Sequence, residues 1–231
     1  ISDTHFVTKY AYHHGYFDPI EREFRGFGMV EQYDTEDYDA FQEAGLFKAK
    51  GKNWSEQSHI PPIHTKTWFH NGYYRQGGKI TRQYESEYYG TRDANGKFTE
   101  WTLEDTVLPT GLSGDVAREA ARSLKGRPLR VEVYAEDGNP HPYTVTESNY
   151  QIKVIQKKGN NRHTIFFPTQ KETLTFQYER NPADPRIAHS FALTIDDFGN
   201  PTRSLAVVYP RRTATPHAEQ KRLYCTYTEA D

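Results

Sequence analysis

Bulky and polar residues alternate along much of the chain. In Thr173-Leu174-Thr175-Phe176-Gln177-Tyr178 every second position is apolar or aromatic, the pattern of a strand buried on one face. Leu129 to Tyr134, Tyr143 to Thr146, Leu205 to Tyr209 and Leu223 to Tyr227 read the same way, and their β-branched and aromatic residues suit a pleated surface. Turn signals separate these runs. Asp93-Ala94-Asn95-Gly96, Asp137-Gly138-Asn139-Pro140 and Asp197-Phe198-Gly199-Asn200-Pro201 each supply residues that tolerate positive φ, so three hairpins are expected.

Two segments carry helical spacing. From Ser113 to Lys125, Val116, Ala120 and Leu124 fall four apart, Ser113 or Asp115 can cap the start, and Gly126 and Pro128 stop the run. From Lys79 to Tyr89, Ile80, Tyr84 and Tyr88 are also four apart and fit a short amphipathic helix. The stretch 34–62 starts acidic and turns basic at Lys48, Lys50 and Lys52; it reads as an irregular, solvated connection. The rest reads as one unit, 1–231, cut from a longer chain. The fold class expected is mainly β and antiparallel, with one or two short helices.

Composition narrows the choice. The 231 residues hold 29 Lys and Arg against 31 Asp and Glu, a formal charge of −2. That balance disfavours a partner held by bulk positive charge, such as nucleic acid. Mean hydropathy is −0.91, which suits sheets wetted on one face. No run reaches the roughly 18 apolar residues of a membrane-spanning helix. Cys225 is the single cysteine, so no internal disulfide framework exists. Its alternating surroundings suggest a packed thiol.

Candidate chemistry is sparse. His13 and His14 are adjacent, and neighbours on a strand point to opposite faces, so one metal would not take both. His64, Lys66, Trp68 and His70 share a parity in an extended segment and read as a polar-aromatic stripe for packing and cross-strand pairing. Gly26-Phe27-Gly28 lacks the third glycine of a dinucleotide fingerprint; a bend, a bulge or a close backbone approach explains it. The carboxylate neighbours Glu104 with Asp105 and Asp196 with Asp197 would need a cleft that spaces two acids for glycosidase work. Tyr73-Tyr74, Tyr88-Tyr89, Trp54, Trp68 and Trp101 could form a stacking platform for sugars, or a core built from tyrosine. No catalytic, cofactor-binding or metal-binding residue is assigned.

A family resemblance enters with the block from Tyr10 to Glu31, which runs Tyr-Ala-Tyr-His-His-Gly-Tyr-Phe-Asp-Pro-Ile-Glu-Arg-Glu-Phe-Arg-Gly-Phe-Gly-Met-Val-Glu. It closely resembles the middle region of the B component of bacterial Tc (toxin complex) insecticidal toxins. That component joins a region like the Salmonella virulence plasmid protein SpvB to a rearrangement-hotspot (YD-repeat) architecture. The likeness continues in order through Thr65 to His70, Arg118-Glu119-Ala120, Leu124 to Leu129, Tyr143 to Glu147, Tyr178-Glu179-Arg180, Asp184-Pro185-Arg186 and Asp197 to Asn200. The short period of the YD repeats is missing here. The resemblance implies a wall region of a hollow β-sheet shell that encloses the cytotoxic C-terminal segment of the C component. It implies a secreted complex with no cofactor. The C component would be partner and cargo, and the pore-forming A component would be reached through other regions of the B component, with neither nucleic acid nor direct membrane insertion involved. In that role Glu21, Arg22, Glu23 and Arg25 would lock neighbouring strands through cross-strand charge pairs. The competing expectation is a carbohydrate-binding β-module that contacts host glycans.

Overall fold

The computed structural model describes residues 7–35, 61–74, 80–213 and 217–230. Nine strands follow one another in space as they do in sequence, all antiparallel. They are β1 (Val7–Asp18), β2 (Glu23–Thr35), β3 (Ile63–Phe69), β4 (Pro128–Ala135), β5 (Thr144–Gln156), β6 (Ile165–Gln177), β7 (Arg186–Ile195), β8 (Pro201–Val208) and β9 (Tyr224–Glu229). Each strand read from alternation has its centre in one of these. The turns at Asp137 to Pro140 and Asp197 to Pro201 close the β4–β5 and β7–β8 hairpins. The one at Asp93 closes only a small loop, pinned by a single bridge between Arg92 and Phe98. Asp34 belongs to β2, against its place in the expected connection; residues 36–60 of that connection lie outside the described residues.

The chain leaves the sheet after β3 and returns at β4. The part from residue 80 to 127 lies across one face of the sheet. Three apolar clusters fasten this lid. Tyr84 and Tyr88 pack on Met29, Trp68 and Leu129. Leu103 packs among Val145, Leu174, Phe176, Tyr178 and Ile187. Ile80, Ala120 and Leu124 pack on Tyr150 and Ile152.

The lid contains the helix α1 (Gly114–Arg122), with Ser113 at its N-cap position. Ala120 and Leu124 are buried as expected, Ala117 and Ala121 join them, and Val116 is left half-exposed. Alanines let the helix lie close against the strands. The second expected helix is absent: 80–84 is a turn followed by a short 3-10 segment at Glu85–Glu87. Ile80, Tyr84 and Tyr88 are nevertheless all buried, at 9, 9 and 5% exposure. The spacing marked a buried side correctly but not the backbone that builds it. The carboxylate of Asp105 holds the first turn instead, accepting from the Ile80 and Thr81 amides at 2.9 and 2.8 Å.

The lid divides the sheet into two unlike faces. Under it lie Trp68, Arg130, Glu132, Val145, Leu174 and Phe176, each at most 1% exposed. Side chains on a strand alternate between faces, so their immediate neighbours line the other side. Register makes that side readable across the sheet: Val30 stands opposite Thr67, Thr67 opposite Val131, Val131 opposite Thr146, Thr146 opposite Thr175, and Thr175 opposite Ala188. In the next row Gln32, Thr65, Val133, Thr144 and Gln177 are matched in turn. These residues are half-exposed or exposed.

Candidate functional site

The covered face holds the most deeply buried charged groups, and every carboxylate oxygen among them has a hydrogen-bond partner. The Arg130 guanidinium donates from Nε to Glu132 Oε1 at 2.6 Å and from Nη1 to Glu147 Oε2 at 3.1 Å. It also lies over the Tyr88 ring, 4.8 Å from the centroid. Glu132 further accepts from the Tyr89 amide at 2.9 Å and the Tyr134 hydroxyl at 2.6 Å. Glu147 accepts from the Leu103 amide at 3.0 Å. Burial pushes the Glu147 carboxyl above the usual carboxylate range, and Arg130 opposes that shift. Two acids around one base have the look of a catalytic dyad, yet all four of their oxygens already accept hydrogen bonds from the chain. The arrangement latches the lid to β4 and β5, and at 1 and 5% exposure Glu132 and Glu147 are shut off from the solvent side.

A second latch closes the β1–β2 hairpin. Asp18 Oδ1 accepts from the Ile20 and Glu21 amides at 2.8 and 3.1 Å. Its Oδ2 pairs with Arg25, and Arg25 Nη1 donates to the Gly72 carbonyl at 2.8 Å. Burial raises the Asp18 carboxyl, but the Glu21 and Ile20 amides with Arg25 outweigh it and hold it below its ordinary range. Glu23 reaches Arg122 and Lys125, both at 3.0 Å, and Glu21 lies 3.8 Å from Arg122. Arg25 thus makes the expected pair between neighbouring strands, with Asp18, whereas Glu21 and Glu23 tie the hairpin end to α1 and the residues after it, because the lid brings the basic end of the helix over the turn. Arg22, at φ 52°, forms the turn itself.

The histidines share an acidic partner set. His13 Nε2 lies 2.9 Å from Glu31, and His64 lies 2.6 Å from the same carboxylate and 2.8 Å from Glu136. His14 lies 2.8 Å from Glu87 of the lid and stacks on Tyr84 at 5.0 Å. Both His13 and His14 thus meet groups on the covered side, against the expectation of opposite faces. The cause is local: His14 sits at φ 56° and breaks the alternation. Among the described residues no three His, Cys, Asp or Glu are grouped to hold a metal. His64, Lys66 and Trp68 do share a face. His70 lies past the end of β3, buried against Tyr150, and burial drives its imidazole down to about 3.

The remaining candidates scatter. Trp68 is 1% exposed and donates to Glu87 at 2.9 Å, so it cannot stack on a sugar. Trp101 packs edge-on against Tyr209 and His189; Trp54 lies outside the described residues. Asp196 caps its own turn through the Phe198 and Asn200 amides, while Asp197 reaches Lys153 at 2.6 Å. Gly28 permits close approach, since a β-carbon there would collide with the Tyr84 hydroxyl. Cys225 is exposed rather than packed, because β9 is an edge strand with every residue exposed. A groove of about 350 Å³ runs beside His64, Lys66, Tyr134 and Glu136. Lys66 in it lies over the Tyr134 ring at 5.4 Å. Alternation could not reveal the first latch, because on β4 the buried side chains are the charged Arg130 and Glu132 while Val131 and Val133 are half-exposed. Tyr10, Tyr12, Phe24 and Phe27 on β1 and β2 are exposed aromatics within the Tyr10–Glu31 block; alternation alone does not mark them as a group. No helix is long and apolar enough to cross a membrane among the described residues.

Comparison with known proteins decides the family. Residues 1–72 match the model of the insecticide toxin TcdB middle/N-terminal region, and 119–229 match that of its middle/C-terminal region. The chain belongs to the TcdB toxin middle region. A crystal structure of TcdB2-TccC3 without the hypervariable C-terminal region matches this TcdB-type chain over 98% of its length, at 26% identity and TM-score 0.77. The crystal structure of TcdB2-TccC3 matches over the same share at 28% identity and TM-score 0.73. The Photorhabdus luminescens Tc holotoxin pore matches over 92% at 30% identity and TM-score 0.66. The TcdB-type chain spans 11, 11 and 9% of those chains. A search of the curated proteins gives no match.

Proposed function

We propose that this TcdB-type region is a panel of the container wall of a secreted insecticidal toxin complex. In that role it helps enclose the cytotoxic C-terminal segment of the C component until the A component delivers it, the A component being engaged by other parts of the B chain. The panel performs no chemistry of its own. One observation carries the reading: 98% of the chain takes the fold found in TcdB2-TccC3. The two latches support it, since their carboxylates are engaged in holding the lid and the hairpin to the sheet.

The test uses the full-length B chain assembled with its C component. Limited proteolysis is expected to spare the C-terminal segment in the native complex. It should cleave that segment when Trp68→Ala, which removes the centre of one lid cluster, weakens the wall by about 3–5 kcal/mol. A segment cleaved equally in both complexes would contradict the container role. Glycan binding by the native B chain that requires Trp101 would favour a carbohydrate module.

A further inference from the structure

The two faces of the sheet identify which one looks at the cargo, and this step rests on the container reading. The lid side is closed by 80–127, whose outward surface is charged: Arg92, Asp93 and Lys97 are exposed there. The other side is of a different chemistry. Three adjacent cross-strand rows run over it, through Thr67 and Thr146, through Thr65 and Thr144, and through Ser148 and Thr173. Their members are Thr, Ser, Val, Ala, Gln and, at the two edge strands, Tyr; the one charged side chain in them is Arg186, opposite Gln177. Apart from Ser148, which is 8% exposed, the side chains of these rows are half-exposed or exposed.

We infer that this bare, neutral face lines the chamber and meets the C-terminal segment of the C component, while the lid faces outward. Charge decides the assignment. A solved relative, TcdB2-TccC3, is described as lacking a hypervariable C-terminal region, and a segment without fixed sequence offers no fixed charge pattern to complement. A wall of either sign would trap some segments and repel others. A neutral wall of short hydroxyl and methyl side chains holds none tightly. It can hydrogen-bond weakly to an extended chain, and it lacks pockets that would anchor side chains against release. The charged, hydrated lid exterior is suited to bulk water.

Photocrosslinking in the assembled full-length complex tests this. Thr146→p-benzoylphenylalanine and Ala188→p-benzoylphenylalanine put the probe on the bare face, and Lys97→p-benzoylphenylalanine puts it on the lid exterior. The expected result is capture of the C-terminal segment from 146 and 188 and none from 97. Capture from 97 but not from 146 or 188 overturns the assignment, as does capture of only B-chain peptides from 146 and 188, which would mean a further protein layer covers that face. Proteolysis of the same samples separates the two levels. A protease-resistant segment without capture from the bare face sinks the face assignment alone. A protease-sensitive segment in the unsubstituted complex sinks the container reading with it.

Discussion

The two faces of this one sheet differ in almost every respect except their backbone. The lid-covered face concentrates Trp68, Leu129 and Leu174 with the Arg130 latch and the buried His64 and His189. The bare face carries mostly neutral β-branched and small residues at the positions in between. A two-faced sheet needs only one buried side to be stable. The difference shows how the work is divided: the covered face holds the panel together, and the bare face is left free to be chosen for what it meets.

Removing Arg130 should separate the faces most strongly. Arg130→Met strands two carboxylates in a dry site, a loss of about 3–5 kcal/mol. In the full-length B chain, hydrogen exchange should show β4 and β5 losing protection. Replacing Arg130, Glu132 and Glu147 together with apolar residues of similar volume should restore most of it, because the cost lies in the unpaired charges. Equal losses in the single and triple variants would mean the latch supplies net attraction instead.

The close approach at Gly28 comes next. Gly28→Ala should cost about 1–3 kcal/mol through overpacking, read as faster exchange in β2. Combined with Tyr84→Ala it should cost less than the two single changes added, since the second removes what the first strikes.

Acid should act on the covered side as well. Buried His70 titrates near 3 in the folded chain against an ordinary 6.5. Below 6.5 the unfolded chain therefore binds the extra proton and the folded chain does not. Stability from this residue is complete above that range and declines as pH falls towards 3. Between pH 6.5 and 5.5 the loss is about 1 kcal/mol. His70→Leu should flatten that part of the pH profile of exchange in β3, whatever it does to stability at neutral pH.

The smallest effect belongs to the bare face. Thr146→Val and Thr175→Val, at half-exposed positions, should each change stability by no more than about 0.5 kcal/mol. A loss above about 2 kcal/mol would exceed what a surface position can supply; it would show that a further layer packs there and would erase the distinction between the faces.

Strands were legible because period-two alternation is written residue by residue, and β4, β6 and β8 could be placed from it. Of the lid only α1 was legible; the rest of 80–127 is held by side chain to backbone contacts such as Asp105 to Ile80 that leave no periodic trace. The rings of Tyr84 and Tyr88 signalled burial while concealing a turn. A left-handed residue at His14 reversed the face expected for one histidine, and strand order, which makes β9 an edge, exposed Cys225. The family was legible in the block from Tyr10 to Glu31, whose charges turn out to serve a hairpin-to-helix latch.

The most direct measurement is a cryo-EM structure of this protein's full-length B chain bound to its C component. The container account predicts β1 to β9 as a continuous stretch of the chamber wall, with the outer edges of β1 and β9 hydrogen-bonded to further strands. A sheet standing outside the chamber with both edges open to solvent would contradict it.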